Sequence, residues 1–266
     1  MKEKKNQSVS NTKVALVFFA FLIFVVVVSL TIKVINVVKQ GKLGDSERYT
    51  LCVASGKNTR VISLSSSSKD ISIFKLNNDI KLPEVGRFLE IPIDGFISFK
   101  SQDLNLNTEA LFTKALFDFK NVKTNLTIFD LLKLAISAKS IPENSVNTRE
   151  IGNIKSSDAD KIVGRMVIDD LMEKDYQTIQ IINGTQVSGF GSRLARLITN
   201  MGGNVILVMT ENSPRKKSVI TYIDKRTYTV ERLQKLLGYD VVKEPSNAMS
   251  DVTIIIGEDK INSDPF

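Results

Sequence analysis

The stretch that decides the fold is IQIINGTQVSGFGSRLARLITNMGGNVILV, residues 179–208. Thr178 to Ile182 is rich in isoleucine and stops at Asn183-Gly184-Thr185, so it reads as a strand closed by a turn. Past the turn, Val187, Phe190, Leu194, Leu197, Ile198 and Met201 recur every three or four residues. That is the period of an amphipathic helix, and Gly202-Gly203 supplies its stop. Val205 to Met209 is apolar without a break, the pattern of a strand covered on a face by helices.

Reading toward the C-terminus, Ser218 to Ile223 predicts another strand. Val230, Leu233, Leu236 and Leu237 mark a second helix, with Gly238 just past its end. Val252 to Ile256 (VTIII) is a final strand before Gly257. The order β-α-β-β-α-β predicts a small two-layer α/β domain over 176–260, with two helices packed on one sheet.

Toward the N-terminus, 151–175 reads as a linker. Ser156-Ser157-Asp158 is a plausible N-cap there, followed by a weak amphipathic helix through Ile162, Val163, Met166, Val167 and Leu171. Before it, 49–150 forms a middle domain. Tyr49–Ala54, Val61–Leu64 and Ile71–Leu76 predict three strands, with Ser65 to Ser68 turning between the last two. Asn77-Asn78-Asp79 turns into Ile80-Lys81-Leu82-Pro83, so 49–83 reads as a β-meander. Helices follow at Glu109–Phe119 and Ile128–Ala138. The second is opened by the capping-box pattern Thr127-x-x-Asp130.

At the start, Val14 to Ile32 (VALVFFAFLIFVVVVSLTI) carries no charge. About 20 apolar residues at ~1.5 Å rise cross a ~30 Å hydrocarbon core. No small-x-small cleavage site follows, so the segment reads as an uncleaved signal anchor. Residues 1–13 are then a cytoplasmic tail, 14–32 a transmembrane helix and 33–48 a stalk. Lys2, Lys4, Lys5 and Lys13 precede the span, offset only by Glu3. That favours the N-terminus in the cytoplasm and the rest outside.

Composition narrows the chemistry. The chain has 266 residues, no histidine, no tryptophan and one cysteine, Cys52. That excludes an internal disulfide, a Cys/His metal cluster and any His-dependent triad. The net charge of +7 is concentrated before residue 49, so the folded part lacks the basic face that nucleic acid would require.

Three motifs bear on the chemistry. GTQVSGFG, Gly184 to Gly191, lies between strand and helix, where phosphates often bind. It lacks the Lys-Ser/Thr of a P-loop, and Leu194 stands where a dinucleotide fingerprint needs its third glycine. Two readings stay open: a tight turn with close helix–strand packing, or an anion or glycan held at the helix start by Asn183, Gly184, Thr185, Ser188 and Gly189. Arg215-Lys216-Lys217 reads as a solvated charged turn. Asp169-Asp170, Glu173 and Asp175 read as a solvated acidic helix face, and no metal site is assigned.

Residues 176–260 resemble the C-terminal domain of the LytR–CpsA–Psr cell-envelope family. Asn183, Gly184, Thr185, Gly189, Gly202, Tyr222, Gly257 and Asp259 fit its strand–Asn-Gly-Thr/Ser–Gly–helix–Gly–strand order and its closing Gly-x-Asp. Residues 49–150 are similar to a shortened, degenerate catalytic domain of the same family. ISIFKLNNDIKLPEVG and FLEIPIDGFI carry that likeness. In active members an Arg-Asp pair and further arginines grip a polyprenyl-pyrophosphate-linked glycopolymer and its metal, and the polymer is transferred to peptidoglycan. Here Asn78 stands at the arginine position beside Asp79, and asparagine cannot supply the fixed charge that pyrophosphate needs.

Two functions follow. The first is a membrane-anchored extracytoplasmic binding or scaffold module for wall glycopolymer, peptidoglycan or envelope assembly, without a cofactor. The alternative is a divergent glycopolymer phosphotransferase using Asp79 and Asp94 with Mg²⁺.

Overall fold

The computed structural model describes residues 5–39, 41, 43, 47–56, 58–76, 80, 82–100, 104, 106–152, 162–244 and 249–261. The chain divides into two compact units, Met1–Gly41 and Lys42–Phe266.

The first unit is one helix, α1 (Lys5–Lys39). Its stretch Lys13–Asn36 has a mean hydropathy of 3.0 and is long and apolar enough to cross a membrane by length and composition. The apolar run outlasts the predicted span of 14–32 because Val34 and Ile35 continue it beyond Lys33.

The second unit holds two mixed sheets. In the middle domain β1 (Arg48–Ser55), β2 (Asn58–Ser65) and β3 (Asp70–Leu76) form the antiparallel meander expected from their patterning. β4 (Gly95–Phe99) adds parallel to β1, β5 (Lys123–Thr124) antiparallel to β4, and β6 (Val146–Ile151) parallel to β3. The order is β5-β4-β1-β2-β3-β6. Every residue of β1 is buried, because both faces of the sheet are covered. On one face, Leu51, Val53, Ile62 and Leu64 pack with α3 (Thr108–Phe117) and α4 (Ile128–Lys139) through Leu111, Phe112, Leu131 and Leu134. On the other, Cys52, Val61 and Phe74 pack with Val85, Leu89, Ile91, Val163 and Val167.

The capping box at α4 is complete. Thr127 Oγ1 accepts from Asp130 N, and Thr127 N donates back to Asp130 Oδ2. Asp130 Oδ1 also accepts from Leu43 N. The meander ends earlier than its pattern suggests. Leu82–Glu84 is a 3-10 turn, and α2 (Val85–Leu89) follows it. Pro83 carries no N–H for a ladder, which favours the turn. The linker is not one helix either: Gly164–Met166 is a 3-10 turn, and α5 (Asp170–Lys174) is capped by Asp169. The cap expected at Ser156-Ser157-Asp158 lies outside the described residues.

The C-terminal domain runs β7 (Thr178–Asn183), α6 (Phe190–Asn200), β8 (Asn204–Thr210), β9 (Val219–Tyr222), α7 (Tyr228–Leu237), β10 (Asp240–Lys243) and β11 (Val252–Ile256). It is the expected order with one added strand. β10 escaped the sequence reading because four residues bounded by Asp240 and Lys243 carry too little apolar signal. Gly238, at φ 63°, turns the chain from α7 into it. The sheet order is β10-β9-β11-β7-β8. Both helices cover one face, where Leu194, Ile198, Val230 and Leu233 meet Ile179, Ile181, Ile220 and Ile254. β8 lies at the sheet edge, and most of its apolar run is solvent-exposed rather than covered.

The closing Gly-x-Asp has a structural task. Ser218 donates to Asp259 Oδ1 through both N (2.9 Å) and Oγ (2.8 Å), and Gly257 N donates to Ser218 Oγ at 2.8 Å. A Cβ on Gly257 would lie 2.5 Å from the Lys217 carbonyl carbon.

Candidate functional site

The five residues of the 183–189 turn come together, and most of their polar capacity is spent on the turn itself. Asn183 Oδ1 accepts from Thr185 N at 3.1 Å and Thr185 Oγ1 at 2.7 Å. Asn183 Nδ2 donates to Val187 O at 2.9 Å, and Val187 N donates to Thr185 Oγ1 at 3.2 Å. Gly184 is clamped from two sides: its N–H donates to Ile256 O at 2.9 Å, and Arg215 N donates to its carbonyl at 2.7 Å. A Cβ there would sit 2.6 Å from Arg215 Cγ, so the close approach requires glycine. Gly189, at φ 77°, opens α6. Ser188 and Gly189 are exposed; Asn183, Gly184 and Thr185 are buried.

Asp79 lies outside the described residues. Asp94 lies at the seam between the two domains, and its side chain is 7% exposed. Arg232 on α7 donates from Nη1 to Asp94 Oδ1 at 2.7 Å and from Nη2 to Oδ2 at 3.2 Å. Thr50 N donates to Asp94 Oδ2 at 2.9 Å, which fastens the carboxylate to β1. Burial works against the Arg232 cation, but Asp94 and then Asp169 more than offset it, so its pKa is raised.

The seam continues beyond this pair. Arg232 Nε lies 3.6 Å from Asp169 Oδ2, which accepts from the Tyr228 hydroxyl at 2.7 Å. That hydroxyl accepts from Glu47 N at 3.1 Å. Asp169 Oδ1 caps α5 through Leu171 N and Met172 N. Burial raises the Asp169 pKa, against the pull of Tyr228 and Arg232. Asp169 is therefore a buried joint, not part of a solvated acidic face.

A second joint forms at Glu90, which ends α2 at φ 52° with 7% of its side chain exposed. Its carboxylate accepts from Arg196 Nε at 3.2 Å and Nη2 at 2.9 Å, and Arg193 Nε lies 3.6 Å away. Asn200 Nδ2 donates to the Glu90 carbonyl at 2.9 Å. Beside it opens a cleft of about 460 Å³ lined by Ile80, Glu84, Arg87, Phe88, Glu90 and Arg193. Arg87 is exposed there.

This arrangement positions domains. A magnesium ion at Asp94 would need carboxylate oxygens that Arg232 and Thr50 N already occupy, and a guanidinium in contact repels a divalent cation. Among the described residues no group of three or more Asp, Glu or Cys could hold a metal. The residues present around Asp94 do not fit the ion.

Sequence reasoning missed the seam partners Glu90, Arg193, Arg196, Asn200 and Arg232. One signal existed. Arg232 falls on the stripe of Thr229, Val230, Leu233 and Leu236, so a cation sits where the helical period demands burial. Such a residue needs a buried anion, and Asp94 is that anion.

Comparison with known proteins agrees with this architecture at its C-terminal end. Residues 177–259 match the family described as LytR cell envelope-related transcriptional attenuator. The match is confined to this C-terminal segment, which is similar to a LytR C-terminal domain, and it supports a cell-envelope related protein. No curated protein matches the chain. Among solved structures, the transcriptional regulator yvhJ from Bacillus subtilis aligns at 14% identity over 40% of this chain and 83% of its own, with a TM-score of 0.31. Lin1025 from Listeria innocua aligns at 10% identity over 40% and 84%, TM-score 0.31. TagV from B. subtilis aligns at 11% identity over 40% and 85%, TM-score 0.30.

Proposed function

We propose that this protein is a single-pass membrane-anchored envelope protein with its amino terminus in the cytoplasm. Its two α/β domains, outside the membrane, serve as a binding or scaffold module for wall glycopolymer or peptidoglycan. The observation that carries this reading is the state of Asp94. The carboxylate that a phosphotransferase would need for metal binding is engaged bidentately by Arg232 and tied to Thr50 N. Held this way it ties the middle domain to the C-terminal domain, which suits a scaffold better than a metal ligand.

The middle domain is read as a degenerate relative of the LytR–CpsA–Psr catalytic domain. An anionic polymer would meet the exposed Arg87 at the cleft and the open rim of the turn at Ser188 and Gly189, with Asn183, Gly184 and Thr185 framing that rim. The test uses the full chain in detergent, with two measurements. In pull-downs of wall glycopolymer, retention that falls in Arg87→Glu or Ser188→Glu supports the binding module. In a transfer assay with a lipid-pyrophosphate glycan and Mg²⁺, turnover that is lost in Asp79→Ala overturns it in favour of the phosphotransferase.

A further inference from the structure

A helix that is apolar on most of its faces belongs inside a core or in lipid. α4 (IFDLLKLAISAK) has that composition but buries only one side, where Leu131, Leu134 and Ala138 pack into the middle domain. The other side is open. Ile128, Phe129, Leu132 and Ile136 are 48%, 38%, 41% and 61% exposed. At 3.6 residues per turn these four side chains fall within about 100° of the helix circumference, so they form one stripe. The remaining exposed positions of α4 are Lys133 and Lys139. Lys133 borders the stripe, its ammonium 4.9 Å from the centre of the Tyr49 ring, and Lys139 stands on the last turn.

Two observations say what covers this side. The first is reach. Leu43 is buried in the middle domain, and its N–H donates at 3.2 Å to Asp130 Oδ1, in the first turn of α4. The apolar stretch of α1 ends at Asn36, seven residues earlier. Even fully extended, that much chain spans at most about 25 Å. The headgroup layer of a bilayer takes up roughly 5–8 Å of it. The start of α4 is therefore tethered close to whatever bilayer holds α1.

The second is charge. From Asp118 to Ser140 the exposed ionisable side chains are Lys120, Lys123, Lys133 and Lys139 against the single carboxylate of Asp118. An apolar stripe among lysines suits anionic headgroups over an acyl boundary. A second copy of the same face would set lysine against lysine.

We propose that the exposed side of α4 is a lipid-docking face. Ile128, Phe129, Leu132 and Ile136 enter the headgroup layer of the membrane that α1 crosses, and the neighbouring lysines meet anionic headgroups. The proposal rests on the reading of α1 as a membrane span. The short tether makes the contact intramolecular, so a face of four side chains suffices where a free domain would need more.

The chain has no tryptophan, so a single introduced one reports its own surroundings. The full chain is reconstituted in phosphatidylcholine vesicles, with and without phosphatidylglycerol, whose acyl chains are brominated near the headgroup. Phe24→Trp reports on the span, and Phe129→Trp and Ile136→Trp report on α4. Val242→Trp, on the half-exposed edge strand β10, is the reference. Bromolipid should quench Phe24→Trp, and should quench both α4 reporters several-fold more than Val242→Trp. Phosphatidylglycerol should strengthen the α4 quenching. Leu132→Glu, an exposed position whose change leaves the core intact, should remove most of it from Ile136→Trp. An unquenched Phe24→Trp would overturn the span reading on which the proposal rests. A quenched Phe24→Trp with α4 reporters quenched no more than Val242→Trp would overturn the docking face alone. So would α4 emission that is blue-shifted but insensitive to bromolipid, the mark of a second copy seated on the stripe.

Discussion

Arg232 and Asp94 are 138 residues apart in sequence and joined by a two-pronged contact of 2.7 and 3.2 Å, with both side chains almost out of water. The pair makes the middle and C-terminal domains one structural object. Removing Asp94 alone leaves the buried Arg232 cation with only the longer 3.6 Å contact to Asp169, whereas removing both members of the pair takes that cation away and leaves Asp169 held by the Tyr228 hydroxyl and the α5 cap. Asp94→Ala should therefore destabilise the chain by about 3–5 kcal/mol. The double variant Asp94→Leu/Arg232→Met should be milder than the two single effects added together. Denaturant unfolding of all variants measures the coupling, and simple additivity would refute a direct pair.

A backbone contact is tested at Gly257. A methyl group there would come within 2.5–2.8 Å of the Lys217 carbonyl and the Ser218 nitrogen, atoms that a side-chain rotation cannot move. Gly257→Ala should cost about 1–3 kcal/mol by overpacking, toward the upper end because the neighbour is backbone. Gly152→Ala, where a Cβ meets nothing within 4 Å, should leave the thermal midpoint nearly unchanged.

Acid sensitivity should trace in part to Asp251. Its Oδ2 accepts from Thr178 Oγ1 at 2.6 Å and Thr178 N at 2.8 Å, and these bonds hold its pKa below the ordinary 3.8. With the folded value below the unfolded one, the contribution is complete above the ordinary carboxylate range. It is lost as pH falls through the lowered folded value. Asp251→Asn should be less stable than wild type at neutral pH. The gap should close as both are titrated into acid, and a gap independent of pH would exclude this origin.

Topology has a clean chemical readout because burial pushes the Cys52 thiol up to about 12 and shields it from reagents. Wild-type chain in intact cells should resist an impermeant maleimide. Phe117→Cys, 84% exposed on the folded unit, should be labelled without lysis. Labelling that appears only after lysis would reverse the proposed orientation.

What the sequence determined by itself was local and periodic. Nineteen uncharged residues from Val14 to Ile32 mark a helix that suits lipid. The spacing from Val187 to Met201 marks α6, and Thr127 with Asp130 marks the start of α4, because caps and amphipathic stripes are written within a few residues. Tertiary structure alone decided the pairings. β10 is too short and too charged to announce itself, and it exists because β9 offers it an edge. The run Val205–Met209 looks like a buried strand, yet β8 is at the rim, since strand order is absent from a strand's own composition. Asp94 and Asp169 look like available carboxylates, but Arg232 and Tyr228, distant in sequence, claim them. Burial of charge is a property of two surfaces meeting, and no single segment carries it.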